Sequence, residues 1–286
     1  MYKPNQDVYR FGNHFIVNQY GMRTSPFSIK KANGEFRIMI FGDSVLNGGS
    51  HTDHDALATT ILQKRLGEEQ QNVVVGNISA KSWGPGNWYA YASEYGFFEA
   101  DLVVLVVSSH DHADNPTFQP LNENKHPTDG PASAFIEVFT RYLPRYLPQI
   151  GAGEAGTERG HFEAGSNDQE VRKGLKDLRG FLKLAKNNSI HVLVVQHLEK
   201  SELNKSTASY GSQRIKQTVE SIGIPSISLE PYFHRSMQDG RNPYRDNIHP
   251  NQIGQQLIAN AIHENMPANT LHRTDSKSQA LGALQP

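Results

Sequence analysis

The chain has 286 residues, with 28 basic and 29 acidic side chains and a formal net charge of -1. This balance gives no electrostatic reason to expect binding to nucleic acid or to an anionic membrane surface. The absence of cysteine excludes disulfides, thiolate metal sites and a cysteine nucleophile, and no apolar run reaches the length of a membrane span.

Short apolar runs that alternate with amphipathic stretches dominate the chain. The predicted buried strands lie at 36–41, 73–78, 102–107, 191–195 and 225–229. The predicted helices lie at 57–66, 88–97, 171–186, 209–222 and 251–264. This alternation is typical of a parallel sheet covered on both faces. We therefore predict an α/β protein, a three-layer α/β/α sandwich of flavodoxin-like type with a mainly parallel sheet of about five strands.

Three segments depart from this rhythm. Residues 1–35 show no clear period, and we expect an N-terminal arm that packs on the domain formed by 36–266. A long insertion at 111–170 contains five glycines within 151–165, and a lid and a tolerated surface insertion are equal alternatives for it. Residues 267–286 are expected to form a disordered tail.

The first predicted strand ends in Gly42-Asp43-Ser44. Sites in parallel sheets form at the carboxyl ends of strands, and this rule indicates the segments 42–55, 79–87, 108–116 and 197–207. The motif is not the G-x-S-x-G nucleophile elbow, since Leu46 stands at the second glycine. It also lacks the lysine of a phosphate-binding loop. Alone, such a tripeptide is more often a turn or a helix cap.

A second motif, Asp246-Asn247-Ile248-His249, precedes the last predicted helix. A carboxylate three residues before a histidine can reach one imidazole nitrogen, which leaves the other nitrogen to take a proton from a serine. Pro250 biases His249 toward an extended conformation, and the helix that follows has one apolar face. The pattern favours a general base held by a packed helix. A capping aspartate with a surface histidine is an equal alternative.

Together, Phe41-Gly42-Asp43-Ser44 and Asp246-x-x-His249 resemble the first and last blocks of the SGNH, or GDSL, hydrolase superfamily. The resemblance implies that 36–266 is the catalytic domain of a serine esterase that needs no cofactor. It also implies that Ser44 is the nucleophile, that His249 is the base and that Asp246 is the partner of His249. Acyl transfer would then proceed through a covalent acyl-enzyme.

The resemblance also implies an oxyanion hole, formed by the backbone N–H groups of Ser44 and Ser82 and by the side chain of His110. Ser82 stands where the family has glycine, and His110 stands where it has asparagine. We expect a working but modified hole, with a catalytically impaired carbohydrate-binding protein as an alternative. Trp83 and Asn47 are candidate substrate contacts, although packing is the more common role of a tryptophan.

The N-terminal arm, with Asn18 and Gly21-Met22-Arg23, is similar to SGNH proteins of bacterial surface-polysaccharide systems. The similarity favours removal or transfer of an acetyl group on a carbohydrate or polysaccharide over an acylated small molecule. It also favours an extracytoplasmic location over a cytoplasmic one. The start of this sequence lacks the apolar stretch of a leader, so this expectation requires a leader that is absent from the sequence.

Two histidine-bearing loops suggest a metal-dependent hydrolase instead. The residues concerned are His51, Asp53, His54, His110, Asp111 and His112. Both loops follow predicted strands and should lie at the same sheet edge, where their nitrogen and oxygen atoms could bind zinc or manganese. This alternative does not explain Ser44 together with Asp246 and His249, so a metal-free serine mechanism is the main prediction.

Overall fold

The computed structural model describes residues 2–69, 72–117, 133–137, 167–203, 205 and 207–267. The chain divides into two compact units, Met1–Pro116 with Ser166–Pro286, and Thr117–Gly165. Most of the predicted insertion, including its glycine-rich stretch, lies outside the described residues, as do residues 268–286 of the predicted tail. The division of the chain into arm, catalytic domain and tail stays a prediction.

Within the described ranges, the secondary structure follows the predicted alternation. The strands are β1 (Gln6–Arg10), β2 (Asn13–Val17), β3 (Phe36–Gly42), β4 (Val73–Ser79), β5 (Leu102–Ser108), β6 (His191–His197) and β7 (Ser226–Ser228). The helices of the first unit are α1 (Ser44–Asn47), α2 (Ala58–Glu69), α3 (Pro85–Tyr95), α5 (Asp168–Asn187), α6 (Tyr210–Glu220), α7 (Glu230–Gln238) and α8 (Gln252–Asn265). The second unit contains α4 (Ala134–Glu137). None of the described helices is long and apolar enough to cross a membrane.

The main sheet is parallel throughout, with the strand order β4-β3-β5-β6-β7. Every residue of β5 is buried, because both faces of the sheet are covered by helices. Val103, Leu105 and Val107 pack in one apolar cluster with residues of α3, α5 and α6. Leu102, Val104 and Val106 pack in the other with residues of α1, α2, α7 and α8. The predicted three-layer α/β/α sandwich with a five-stranded sheet is confirmed.

The first 35 residues contain a hairpin that the sequence analysis did not predict. Strands β1 and β2 pair antiparallel, with Gln6 opposite Val17. Four of the five residues of β1 are exposed, so its sequence lacks the apolar alternation that identifies a half-buried strand. Helix α7 was also missed, and it begins directly after the short strand β7.

The register of the sheet sets the position of the site. Gly42 at the end of β3 lies opposite Ser79 at the end of β4, and Ser108 of β5 lies opposite His197 of β6. Because neighbouring parallel strands end in register, the loops that follow them meet at one edge of the sheet.

Candidate active site

The predicted nucleophile begins a short helix at this edge. Ser44 is the first residue of α1 and is half-buried. Asp43 caps the helix, because its Oδ1 accepts the backbone N–H of Val45 at 2.8 Å. The chain then turns at Gly48, where φ is 69° and an added Cβ would lie 2.8 Å from Cβ of Thr52. The glycine is therefore needed for both the left-handed turn and the close approach.

The structure brings the three residues of the predicted triad into one hydrogen-bonded chain. The Nε2 atom of His249 lies 3.0 Å from Oγ of Ser44. The Nδ1 atom lies 2.8 Å from Oδ2 of Asp246. Since an ionised carboxylate only accepts hydrogen bonds, Nδ1 carries the proton. In the neutral imidazole, Nε2 is then free to accept the hydroxyl proton of Ser44.

Local hydrogen bonds keep Asp246 ionised. Burial by itself would raise the pKa of Asp246, but the backbone N–H groups of His249 and Ile248 and the ring of His249 lower it below its ordinary value. The two backbone bonds to Oδ1 measure 2.7 Å and 2.9 Å. The carboxylate therefore remains able to orient His249 and to stabilise its imidazolium form.

Helix α8 anchors the loop that carries the base. Gln255 is fully buried; its Nε2 donates to the carbonyl of Val45 at 2.8 Å, and its Oε1 accepts the N–H of Ala58 at 2.9 Å. These bonds join α8 to α1 and to the start of α2. Asn251 caps α8, so Pro250 lies two residues before the helix begins. The sequence analysis recognised the apolar face of this helix but not the buried glutamine on it.

The proposed oxyanion donors come from two backbone positions. The N–H of Ser44 lies at the start of α1, where an α-helix provides no acceptor. Ser82 lies between β4 and α3, is exposed, and adopts a φ of 57°. This left-handed conformation is a physical reason for glycine at the corresponding family position, because a side chain is disfavoured there. The serine keeps the backbone N–H but adds strain to the turn.

His110 is arranged differently from a simple oxyanion donor. Its Nε2 lies 3.4 Å from Oδ2 of Asp43, and its Nδ1 lies 3.4 Å from Oε1 of Glu199. Burial alone would lower the pKa of His110, but the negative charges of Asp111, Asp43 and Glu199 raise it well above its usual value. These neighbours favour the protonated form of the ring, and each ring nitrogen lies 3.4 Å from a carboxylate oxygen. Through Asp43 the ring adjoins the turn formed by residues 43–52, which we call the nucleophile turn.

The two predicted substrate contacts differ in accessibility. Asn47 is fully buried; its Oδ1 accepts the hydroxyl of Tyr2 at 2.7 Å, and its Nδ2 donates to the carbonyl of Ser79 at 3.0 Å. This burial is at odds with a contact to substrate. Asn47 instead connects the nucleophile turn to Tyr2 and to the end of strand β4. Trp83 is half-buried, with its ring 5.6 Å from that of Tyr91, and it remains a candidate.

The predicted metal ligands are not assembled into one site. His51 stacks on Phe11, and Asp53 accepts the backbone N–H of His14 at 2.7 Å. Among the described residues, one group of three His, Asp or Glu side chains is close enough to share an ion. This group includes neither His112 nor any of His51, Asp53 and His54. Burial lowers the pKa of His54 and of His112. Within the described residues the one such group is Asp43, His110 and Asp111, so the two histidine-bearing loops do not supply a common ligand set there, and the metal-dependent alternative stays a prediction.

The sequence analysis did not identify Glu199, although the position of this residue after a predicted strand was a usable signal. Glu199 lies in the loop after β6, inside one of the segments that the carboxyl-end rule indicates. No motif marks it, because its partners come from the distant turn after β5 and from the loop before α8.

Comparison with known proteins identifies the fold. No family model and no curated protein matches the sequence. Among solved structures, the acetyl xylan esterase AlAXEase aligns over 81% of this chain and 100% of its own, with a TM-score of 0.51 and 13% identity. A catalytic mutant of Axe2, an acetylxylan esterase from Geobacillus stearothermophilus, aligns over 85% and 96%, with a TM-score of 0.50 and 11% identity.

A two-domain esterase, CEX, active on acetylated mannans, aligns over 85% of this chain with a TM-score of 0.50 and 12% identity. This chain spans 50% of the length of CEX. At these identities, the likeness concerns the fold. The parallel sheet, the order of its strands and these structural relatives agree: the chain shares the α/β/α fold of these esterase structures, the fold that the resemblance of its first and last motifs led us to expect.

Proposed function

We propose that this chain is a serine esterase that removes an acetyl group from a carbohydrate through a covalent acyl-enzyme. The observation that carries the proposal is the chain of hydrogen bonds from Ser44 to His249 to Asp246, with separations of 3.0 Å and 2.8 Å. A nucleophile within reach of a base, and a base oriented by a carboxylate, is the arrangement that acyl transfer requires.

The proposed reaction begins when His249 takes the hydroxyl proton of Ser44 while Oγ attacks the ester carbonyl carbon. The carbonyl electrons move to oxygen, and the backbone N–H groups of Ser44 and Ser82 bind this oxyanion, with the cationic ring of His110 nearby. His249 then protonates the leaving sugar oxygen as the carbon–oxygen bond breaks. Asp246 stabilises the imidazolium throughout.

Deacylation regenerates the enzyme. His249 removes a proton from a water molecule, whose oxygen attacks the carbonyl carbon of the acetyl-enzyme. As the bond between that carbon and Oγ of Ser44 breaks, His249 returns the proton to Oγ and acetic acid leaves, which ionises to acetate. The side chains of Asp246 and His249 are 49% and 29% exposed, which supports access of water to the base. We therefore favour hydrolysis; transfer of the acetyl group to a second hydroxyl would follow the same steps.

The carbohydrate assignment draws on the structural relatives, which act on acetylated xylan and acetylated mannans as their names state. The similarity of the N-terminal arm to proteins of bacterial surface-polysaccharide systems supports the same class of substrate. Both are arguments from likeness, so the substrate requires a direct test.

The test measures acetate release from acetylated xylan and mannan oligosaccharides by the wild-type protein and by Ser44→Ala. Ser93→Ala is a matched control, because Ser93 is exposed on α3 and bonds only the carbonyl of Tyr89. We expect the control to keep its activity and Ser44→Ala to lose about 10⁴-fold or more in kcat. Release of acetate by Ser44→Ala at the wild-type rate would refute the serine mechanism.

A further inference from the structure

A second connection between the nucleophile turn and the base loop runs beside the triad. It starts at Asp43, whose Oδ2 lies 3.4 Å from Nε2 of His110. The other ring nitrogen of His110 lies 3.4 Å from Oε1 of Glu199. The Oε2 atom of Glu199 then accepts Nδ2–H of Asn247 at 2.8 Å. Asn247 follows Asp246 directly in the sequence.

We propose that Glu199 is a positioning residue of this active site, which holds His110 against Asp43 and ties it through Asn247 to the loop that carries Asp246 and His249. The inference rests on the proposed esterase function and deepens it. Neither of the two motifs contains this residue.

The backbone around Glu199 is fixed from several directions, as a positioning role requires. Its own N–H donates to Oε2 of Glu202 at 2.7 Å. The next two residues contact Asn247: the N–H of Lys200 donates to its carbonyl at 2.7 Å, and the N–H of Ser201 donates to its Oδ1 at 3.1 Å. Asn247 therefore receives or donates three hydrogen bonds across the two loops.

The charges along this connection alternate in sign. Burial would raise the pKa of Glu199, but contact with His110 lowers it, so the carboxylate is ionised. The titratable groups that act on His110 are Asp43, Glu199, Asp111, Asp114, His197 and His112. Burial lowers the pKa of His197 to about 4, so this neighbouring ring is neutral at neutral pH and does not oppose the charge of His110. Carboxylate oxygens lie near the ring nitrogens of His110, at 3.4 Å for Asp43 and Glu199 and at 3.8 Å for Asp111. These groups raise the pKa of His110 and so favour its protonated form, while burial raises the pKa of Asp111 itself.

A fixed imidazolium at this position has a catalytic use. Asp43, which it contacts, directly precedes the nucleophile, so the cation lies close to where negative charge develops on the substrate oxygen. A preorganised charge stabilises the transition state without reorganisation during the reaction. Loss of the Glu199 carboxylate would weaken both the charge of His110 and its fixed orientation.

The direction of the pH effect follows from these contacts. Because the folded protein raises the pKa of His110, the cation is present at neutral pH and is lost as the pH rises through that raised value. Removing the charge of Glu199 lowers that pKa. The cation would then be lost at a lower pH, and the alkaline limb of the rate profile would move toward neutrality.

The test compares Glu199→Gln with the wild type, using p-nitrophenyl acetate as the probe ester from about pH 6 to about pH 9. The control is Glu220→Gln, an equivalent change at an exposed residue of α6 whose ion pair is with Lys216 of the same helix. We expect Glu199→Gln to lose about 10-fold in kcat at the alkaline end, with KM within about 2-fold of wild type and the limb shifted by about one pH unit. Glu199→Asp, which keeps the charge on a shorter side chain, should recover part of the loss.

A second readout separates positioning from general damage to the fold. Titration of the His110 ring by NMR should give a lower pKa in Glu199→Gln than in the wild type, and an unchanged pKa in the control. Folded Glu199→Gln protein with the wild-type kcat, pH profile and His110 titration would overturn the inference. Ser44→Ala, assayed in parallel, distinguishes the two proposals: if it retains activity, the esterase mechanism itself fails.

Discussion

Arg23 carries the most specific prediction about how the nucleophile turn is held. The side chain is fully buried, and its guanidinium donates to the carbonyls of Asn47 at 3.1 Å, of Thr52 at 2.8 Å and of Gly49. It also lies 4.2 Å from the ring centre of Phe15. Burial lowers the pKa of Arg23 to about 10, so the group stays charged at neutral pH. One cation thus satisfies three carbonyls of the turn that follows Ser44.

The informative substitution is Arg23→Met, which preserves much of the length of the side chain and removes every donor. A buried carbonyl left without a donor costs about 1–3 kcal/mol, so three of them indicate a loss of at least about 3 kcal/mol. Relief of the desolvated charge offsets part of this, and we expect a net loss of about 2 kcal/mol or more.

Urea denaturation measures this loss as a lower midpoint. With a slope of about 2–3 kcal/mol per molar, the midpoint should fall by about 1 M. Arg179→Met, at an exposed position of α5, is the control and should change stability by less than about 0.5 kcal/mol. If Arg23→Met unfolds at the wild-type urea concentration, the account of this turn is incorrect.

Substitutions at three further positions test the local geometry. Ser82→Gly should keep its activity, with a stability within about 1 kcal/mol of wild type. Ser82→Val should have a lower melting temperature, because a β-branched residue is strained at positive φ. Thermal melts measure this difference, and equal melting temperatures of the two variants would contradict the assigned turn. Gly48→Ala should lose about 1–3 kcal/mol, because its Cβ would meet Thr52, which calorimetry measures. Asp246→Asn should lower kcat by about 10² to 10⁴-fold. Since the pKa of Asp246 is lowered in the folded state, its charge stabilises the fold above its ordinary pKa and ceases to do so as the pH falls through the lowered value. The loss of stability that this carboxylate causes at low pH should therefore be absent in the variant, and thermal melts at a series of pH values measure it.

The sequence was sufficient for the main architecture because the central strands of the sheet contain continuous apolar runs, although the hairpin β1–β2 and helix α7 were not predicted. Strand β5 reads Leu102-Val103-Val104-Leu105-Val106-Val107, and such a run is expected where both faces of a sheet are covered. The triad was equally accessible, because Asp246 and His249 are close in sequence and form a local contact. Their approach to Ser44, 205 residues away, followed from the resemblance and from the shared sheet edge.

What the sequence did not predict depends on long-range polar contacts. Arg23, Gln255 and Glu199 bind groups that are distant in the chain, and none of them lies in a recognisable motif. Asn47 was predicted as a substrate contact, but its side chain is buried and forms hydrogen bonds with Tyr2 and Ser79. A polar residue near a motif can serve the site or the packing around it, and burial decides between them.

The orientation of His110 shows the same difficulty. The family resemblance implied that His110 is a donor of the oxyanion hole, whereas the structure gives each ring nitrogen a carboxylate neighbour. Glu199 lies in the loop after β6, and the in-register pairing of β6 with β5 brings this loop close to the turn that carries His110. Periodicity predicts such strands but not which side chains meet beyond their ends.

The most direct test of the central claim is to map the adduct formed with a fluorophosphonate probe, which reacts with activated serine hydroxyls. The account predicts one labelled peptide, modified at Ser44, with labelling abolished in Ser44→Ala and strongly slowed in His249→Gln, because His249 is the base that activates Oγ at 3.0 Å. Modification at another residue, or labelling of Ser44 at an unchanged rate in His249→Gln, would contradict it.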